Sequence, residues 1–375
     1  MSAYPLRWIR RNLFANITDA VLSAVAIVLL AWLGVTTLRW AIGARWSVVG
    51  DSIQVLLVGI YPTDQIWRPW MAALLLAAVL GGTLGTAFPI RATTAKARSA
   101  IAAGAAALVV TTLWLGVGPI ALAGLLAACW AAVSHWHRSA KWMGPAWLSA
   151  LIVSFLVLAR PGFDQWGGLM LSIMLTIVTS VATLPLGVLL AFGRRSRIPS
   201  VRICCTGYIE TMRSVPLILV VYWIWISVPL LAPEHPVASL IRGMIGYSIF
   251  YCAYVAEYVR SGLQAVSRGQ AEAARSLGMG GWNVNTDIVL PQAIRVVLPA
   301  LVGNVLDIFN GATLVFILGL TDFLRAGQMI LADPRYSGRT YEVYAFMFIV
   351  YFAIGSAITY GARRLEAHLG RGSRA

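Results

Sequence analysis

The sequence predicts an all-α integral membrane protein of about ten transmembrane helices, and three observations carry that prediction. Of its 375 residues, 59% are hydrophobic and only 11% charged, whereas soluble domains hold roughly 45–50% apolar and about 25% charged residues. The mean hydropathy is +0.78. The apolar residues fall in runs near the roughly 20 residues that cross a bilayer, with short basic stretches between them. These features exclude a soluble enzyme, a disordered tail and a disulfide-stapled secreted fold.

In chain order the predicted spans are 17–38, 69–88, 99–116, 119–134, 144–159, 168–192, 214–232, 237–257, 296–320 and 341–361. The first run is long enough to span and no small-residue cleavage site follows promptly, so it reads as a retained helix, not a cleaved leader. Residues 39–68 and 322–340 are the longer polar connections. Within the first of them, 48–60 is mildly amphipathic and is expected on the membrane surface. Gly116-Val117-Gly118-Pro119 reads as a tight turn between two antiparallel helices. Pro185, Pro216, Pro229 and Pro299 lie in or at the ends of spans and favour bends.

The net charge is +15, from 29 basic and 14 acidic residues. Nucleic-acid binding needs a water-exposed basic face. Here the arginines sit between spans, as a membrane protein's cytoplasmic connections require, and nucleic acid is not an expected partner. Alternating the connections puts twenty basic residues on one side and eight on the other, with Arg213 at a boundary. The excess marks the cytoplasmic side and places both termini there. Both lysines, Lys96 and Lys141, follow alanine, so no Gly-Lys-Ser/Thr phosphate loop is present. The four cysteines show no CxxC or Cys/His spacing and read as small hydrophobes. His135, His137, His235 and His368 form no metal or nucleophile motif. Neither a metal nor a cofactor is expected.

Residues 1–160 are rich in Ala, Leu and Trp and carry no readable motif, whereas from 168 onward polar residues occupy defined places. The expected organisation is an accessory transmembrane region at 1–164, a working unit at 165–367 and a short cytoplasmic tail at 368–375. The long inside connection from Tyr258 to Arg295 contains a legible helix. Ser267 is its expected N-cap, with Gln270 completing a capping box. The body runs from Arg268 to Leu277, and Gly278 supplies the left-handed stop. Ala271, Ala274 and Gly278 line one face almost without side chains, which suits close approach by another protein. The plainer alternative is a surface helix resting on lipid headgroups.

The same residues carry a resemblance. Glu272-Ala273-Ala274, Gly278, Ile288 and Leu290-Pro291 match at every fixed position the EAA-x3-G-x9-I-x-LP motif of ABC importer permeases. Gly269-Gln270 before it, and the stretches 210–217, 253–262 and 290–295, resemble the polar-amino-acid branch. The resemblance covers about 165–367 and implies a five-helix type I permease core. It further implies uptake of polar L-amino acids by alternating access, with Gly269, Gln270, Glu272, Ala273, Ala274, Gly278, Ile288, Leu290 and Pro291 coupling the chain to separate ATPase subunits. The chain itself would then be no enzyme. The long N-terminal region resembles the larger permease subunits of general L-amino-acid and glutamate/glutamine/aspartate/asparagine systems. That implies a heterodimer with a second homologous permease, a periplasmic amino-acid-binding protein as donor, and a place in the bacterial inner membrane.

Ionisable and polar residues inside spans are functional candidates. Thr179, Asn304, Asp307, Asn310 and Thr313 read as pathway residues or as interhelical hydrogen-bonding groups. Glu210 with Arg213, and Glu257 with Arg260, share i, i+3 spacing and read as ion pairs bracing the docking region. Family members often carry a lysine before a Thr/Ser pair where this chain reads Asn310-Gly311-Ala312-Thr313, so that charge is missing here. The competing reading is an ion- or proton-coupled secondary amino-acid transporter, which predicts inverted repeats with paired broken helices. No such repeat is visible in the sequence.

Overall fold

The computed structural model describes residues 16–87, 118–133, 140–234 and 236–371. Among them, six helices are long and apolar enough to cross a membrane, or seven if one bent pair is a single span. The predicted span 99–116 lies outside the described residues, as do His135, His137 and His235.

Helix α1 (Ile17–Gly43) buries none of its residues against the chain. Its surface is apolar all round, as lipid requires. Only its end is anchored, where Trp40 meets Trp46 and Tyr341 edge-on. Two short helices follow, α2 (Ser47–Asp51) and α3 (Ile53–Val58). Helix α4 (Trp67–Ala87) then packs against α5 (Gly118–Val133) and α6 (Ala140–Ala159).

The second half begins with α7 (Gly168–Arg194), whose start defines here the upper end of the bundle and whose finish the lower end. Next come α8 (Pro199–Ser214) and α9 (Leu217–Leu231), bent by 112° relative to each other. The sequence reading gave the span as 214–232, with Pro216 favouring a bend, and did not name α8 as a helix of its own. Pro216 makes the bend: its ring forces Val215 out of the helical region, to φ −100° and ψ 140°. Alone, the 15 residues of α9 reach only about 22 Å at about 1.5 Å per residue.

Helix α10 (Ser239–Ala265) runs past the predicted end at 257 and falls outside the six apolar spans. It packs on α7, α9 and α12 (Leu290–Gly311), so much of its surface meets protein instead of lipid. After α12 comes a 3₁₀ segment, Ala312–Leu318, and a two-residue strand β1 (Thr321–Asp322). The chain ends in α13 (Phe323–Leu331) and α14 (Thr340–Arg371). Helix α14 continues through position 368, where the sequence reading began a tail.

The 48–60 stretch, expected on the membrane surface, packs one face into the protein while Ile53 and Ile60 stay exposed. Val48, Val49 and Leu56 form one apolar cluster with Phe323, Ile330, Val343 and Met347, and Leu56 is 0% exposed. Amphipathicity was legible, and its buried face covers α13. The junction is very close. Gly167 and Gly168 pair with Thr321 and Asp322 in parallel bridges. Gly168 has φ +60°, and a Cβ there would lie 2.5 Å from the Leu56 carbonyl oxygen, so only glycine fits. Two side chains pin the following loop, since Tyr61 Oη and Trp166 Nε1 both donate to the Leu158 carbonyl, at 3.2 and 2.9 Å. Asp322 is fully buried and caps α13, accepting the Leu324 and Arg325 amide hydrogens at 3.0 Å. Burial pushes its carboxyl up to about 6.

Candidate functional site

At the lower end, helix α11 (Arg268–Ser276) projects between α10 and α12, as predicted. Its start differs in detail. Ser267 makes no side-chain cap hydrogen bond, and the Gln270 amide donates to the Ser267 carbonyl at 3.1 Å. The expected capping box is not formed. Both residues are exposed, and water can serve the first-turn amides there. The end is a full Schellman stop. The Gly278 amide donates to the Arg275 carbonyl at 2.9 Å and the Met279 amide to the Ala274 carbonyl at 3.2 Å, with Gly278 at φ +82°.

Two of the three small residues, Ala271 and Ala274, turn inward against the expectation, while Gly278 stays exposed. Ala274 is 5% exposed and belongs to a cluster with Ala191, Val255, Ala256, Val259, Val284, Val289 and Ala293, to which Ala271 and Met279 add. Small residues there let α11 sit close on the chain's own base. The outward face carries Gly269, Gln270, Glu272 and Ala273, all exposed. Two bulky apolar side chains extend it, Leu277 at 84% and Trp282 at 69% exposure. The sequence reading named neither as a site residue. A large side chain just past a helix stop was the available signal.

The chain returns through a single turn, Gly281–Asn283, and a π-helical turn, Val284–Val289, into α12. Pro291 lies in the first turn of α12 and has no amide hydrogen for an α-helical bond, which fits a wider turn before it. Gln292 Nε2 donates to the Ile288 carbonyl at 2.8 Å. Ile288 and Leu290 are half-buried against the same apolar cluster, so these motif residues and Ala274 share one seat.

Above this seat lies an ion cluster. Glu257 pairs with Arg260, as predicted, and its Oε1 accepts from Arg260 Nε at 2.9 Å. The predicted Glu210–Arg213 pair is absent. Glu210 instead binds Arg194 at 2.7 Å, and Arg194 also reaches Glu257 at 3.2 Å. Arg213 approaches Glu257 at 3.6 Å. Local spacing favoured i, i+3, but α8 crosses the end of α7 and brings Arg194 closer. One carboxylate, Glu257, therefore ties α7, α8 and α10 together.

The five pathway candidates do not form one cluster. Thr179 and Asn304 are buried, and neither Thr179 Oγ1 nor Asn304 Oδ1 has a hydrogen-bond partner within the described chain. Asp307 and Asn310 are exposed. Asn310 lines a cleft of about 450 Å³ between α12 and α14, beside Phe352, Ser356, Thr359 and Arg363. Thr313 donates to the Asn310 carbonyl at 2.9 Å, a local helix bond. The sequence reading missed Tyr247 and Tyr251, one turn apart on α10, whose hydroxyls donate to the Gly311 and Asp307 carbonyls and hold the end of α12.

The arrangement is a helical membrane bundle that seats one short helix beneath its base, with exposed apolar side chains facing away from it. Comparison with known proteins makes the class specific. Residues 183–368 match the family model described as binding-protein-dependent transport system inner membrane component. The chain is 31% identical over 388 residues to the inner membrane amino-acid ABC transporter permease protein YhdY of Escherichia coli K12, covering 99% of this chain and 95% of that one. It is 30% identical to the glutamate/glutamine/aspartate/asparagine transport system permease protein BztC of Rhodobacter capsulatus, covering 98% and 94%. A solved amino acid ABC transporter with histidines aligns at TM-score 0.48 and 29% identity, over 54% of this chain and 92% of that one. The chain belongs to the inner-membrane permease family of binding-protein-dependent ABC importers. It is a multi-pass transport subunit with the type I importer permease fold, and nothing supports the ion-coupled alternative.

Gly278→Leu is expected to abolish uptake and uncouple ATP hydrolysis while membrane insertion stays intact. A leucine at φ +82° costs about 1–2 kcal/mol and removes the Schellman stop. A Cβ there meets nothing within 4 Å, so the loss would come from backbone strain or from a partner's cleft. Wild-type uptake by this variant would overturn the reading.

Proposed function

We propose that this chain is the permease subunit of an importer for polar L-amino acids. Separate ATPase subunits would seat on the outward face of α11 and hydrolyse the ATP, their closure moving α11 and switching the cavity between inward-open and outward-open. The observation that carries this is the mounting of α11: Ala274 is buried in the base while Glu272, Ala273 and Leu277 are exposed. The names of the two full-length relatives support the cargo class. The positive-inside count supports cytoplasmic termini. The partners completing the importer are a second, homologous permease in a heterodimer and a periplasmic amino-acid-binding protein.

For the pathway, the buried unpartnered Thr179 Oγ1 and Asn304 Oδ1 mark sites that a polar cargo or a partner's group would complete. The exposed Asp307 and Asn310 read as the surface meeting cargo or the second permease. Asp307→Asn is expected to change uptake affinity or selectivity without changing assembly with the ATPase. Unaltered kinetics would place Asp307 in packing alone. The general test is uptake of labelled amino acids in a strain lacking the operon, with ion gradients clamped. Uptake should stop when ATP is depleted, and uptake that continues on an ion gradient would refute the proposal.

The division into 1–164 and 165–367 needs one qualification in this proposal. Residues 47–61 belong functionally with the core, because they wall in α13.

A further inference from the structure

Between α7 and α8 the chain reads Arg194-Arg195-Ser196-Arg197-Ile198-Pro199-Ser200-Val201-Arg202-Ile203. Arg194 is committed to Glu210 and Glu257. Glu257 is also approached by Arg213 and Arg260, so both acids of the cluster already have partners. Arg195, Arg197 and Arg202 are exposed, and none makes an ion pair among the described residues. Interleaved with them are exposed branched aliphatic side chains, Ile198 at 58%, Val201 at 39% and Ile203 at 67%.

The orientation of α8 gives this mixture a meaning. Helix α8 makes 112° with α9. With α9 along the bilayer normal, α8 lies roughly 20° from the membrane plane, the orientation in which a short amphipathic helix beds into headgroups. Alternating cations and aliphatic groups fit such a boundary, where alkyl groups enter the acyl layer and guanidiniums meet phosphates. A protein interface core, by contrast, is depleted in charge. We propose that the 195–203 segment is a binding surface for anionic phospholipid of the inner leaflet, held by Arg195, Arg197 and Arg202 and anchored by Ile198, Val201 and Ile203. Glu210 on α8 ties this surface through Arg194 to Glu257, and so to the base that carries α11. Lipid seated here steadies the base and raises the coupling of uptake to ATP hydrolysis. The inference rests on the cytoplasmic placement of this loop.

The test uses the whole importer, permeases with ATPase, in nanodiscs of phosphatidylcholine alone or with phosphatidylglycerol. Bound lipid is read by native mass spectrometry and coupling by receptor-stimulated ATPase activity. Wild type should retain phosphatidylglycerol in preference to phosphatidylcholine and couple better in its presence. The R195Q/R197Q/R202Q variant should lose on the order of a hundredfold in that preference, together with the lipid effect on coupling. Ile198→Ser with Ile203→Ser, which keeps the charges, should weaken retention less. Equal retention of both lipids by wild type, an unchanged triple variant, or photo-crosslinks from position 203 to another subunit instead of lipid would each overturn the proposal. Labelling of exposed Cys204 by an impermeant maleimide in inverted but not right-side-out vesicles separates a failure of the lipid surface from an error of orientation.

Discussion

Replacing Ala274 with leucine is expected to lower uptake at least tenfold and to remove receptor-stimulated ATP hydrolysis, with the permease still inserted and folded. Ala274 is the buried contact of α11, a helix of nine residues. Isolated helices that short are not stable in water, so α11 owes its form to its seat and its Schellman stop. The seat is small: Ala274 within the cluster, with Ala271 and Met279 partly covered beside it. Three added carbons in a filled seat cost about 1–3 kcal/mol. The cheapest relief is for α11 to lift away, because α10 and α12 are held by their own long contacts. A lifted α11 still offers Leu277 and Trp282 to a partner but no longer transmits its motion to the spans. Ala273→Ser, on the exposed side of the same turn, should leave insertion and folding unchanged, which makes it the matched control. Coupled uptake at the wild-type rate in the Ala274 variant would mean that α11 is not driven through this contact.

The contrast between Ala273 and Ala274 also shows how far the sequence could be read. The motif, the stop at Gly278 and the extent of α11 were all legible, because they depend on local backbone chemistry. Which face turns inward was not, since that depends on Val259, Val284, Val289 and Ala293, brought together from α10, the π turn and α12. The ion cluster repeats the lesson. Glu257 and Arg260 share one helix and were paired correctly, whereas Glu210 found Arg194 on a different helix. The long spans were visible as apolar runs. Pro216 marked the break before α9 but not the polar helix α8 in front of it, and α10 hid part of its length because a helix facing protein need not be uniformly apolar. The pathway candidates were chosen by polarity alone, and polarity does not say whether a side chain is walled in, like Asn304, or open, like Asp307.

Leu56→Asp is expected to abolish uptake although Leu56 lies outside every motif and outside the family-matched stretch 183–368. Its side chain is 0% exposed within the cluster that joins α2 and α3 to α13 and α14. Truncating a buried leucine to alanine costs about 2–5 kcal/mol, and placing an unpaired carboxylate there costs more. The backbone has little room to yield, because the Leu56 carbonyl oxygen already lies against Gly168 and Gly167 meets Gly59 closely. The strain would fall on α13 and on the bridges between 167–168 and 321–322. Those bridges link the start of α7 to the segment following α12. Leu56→Ala should give an intermediate loss, and Thr63→Ala, an exposed change in the same connection, none. Faster proteolysis within 321–340 in the Leu56 variants would locate the damage at α13. The opposite result would be equally informative. Wild-type uptake by Leu56→Asp would show that the N-terminal region is accessory throughout, as its composition suggested, and that the upper wall of the core stands without it.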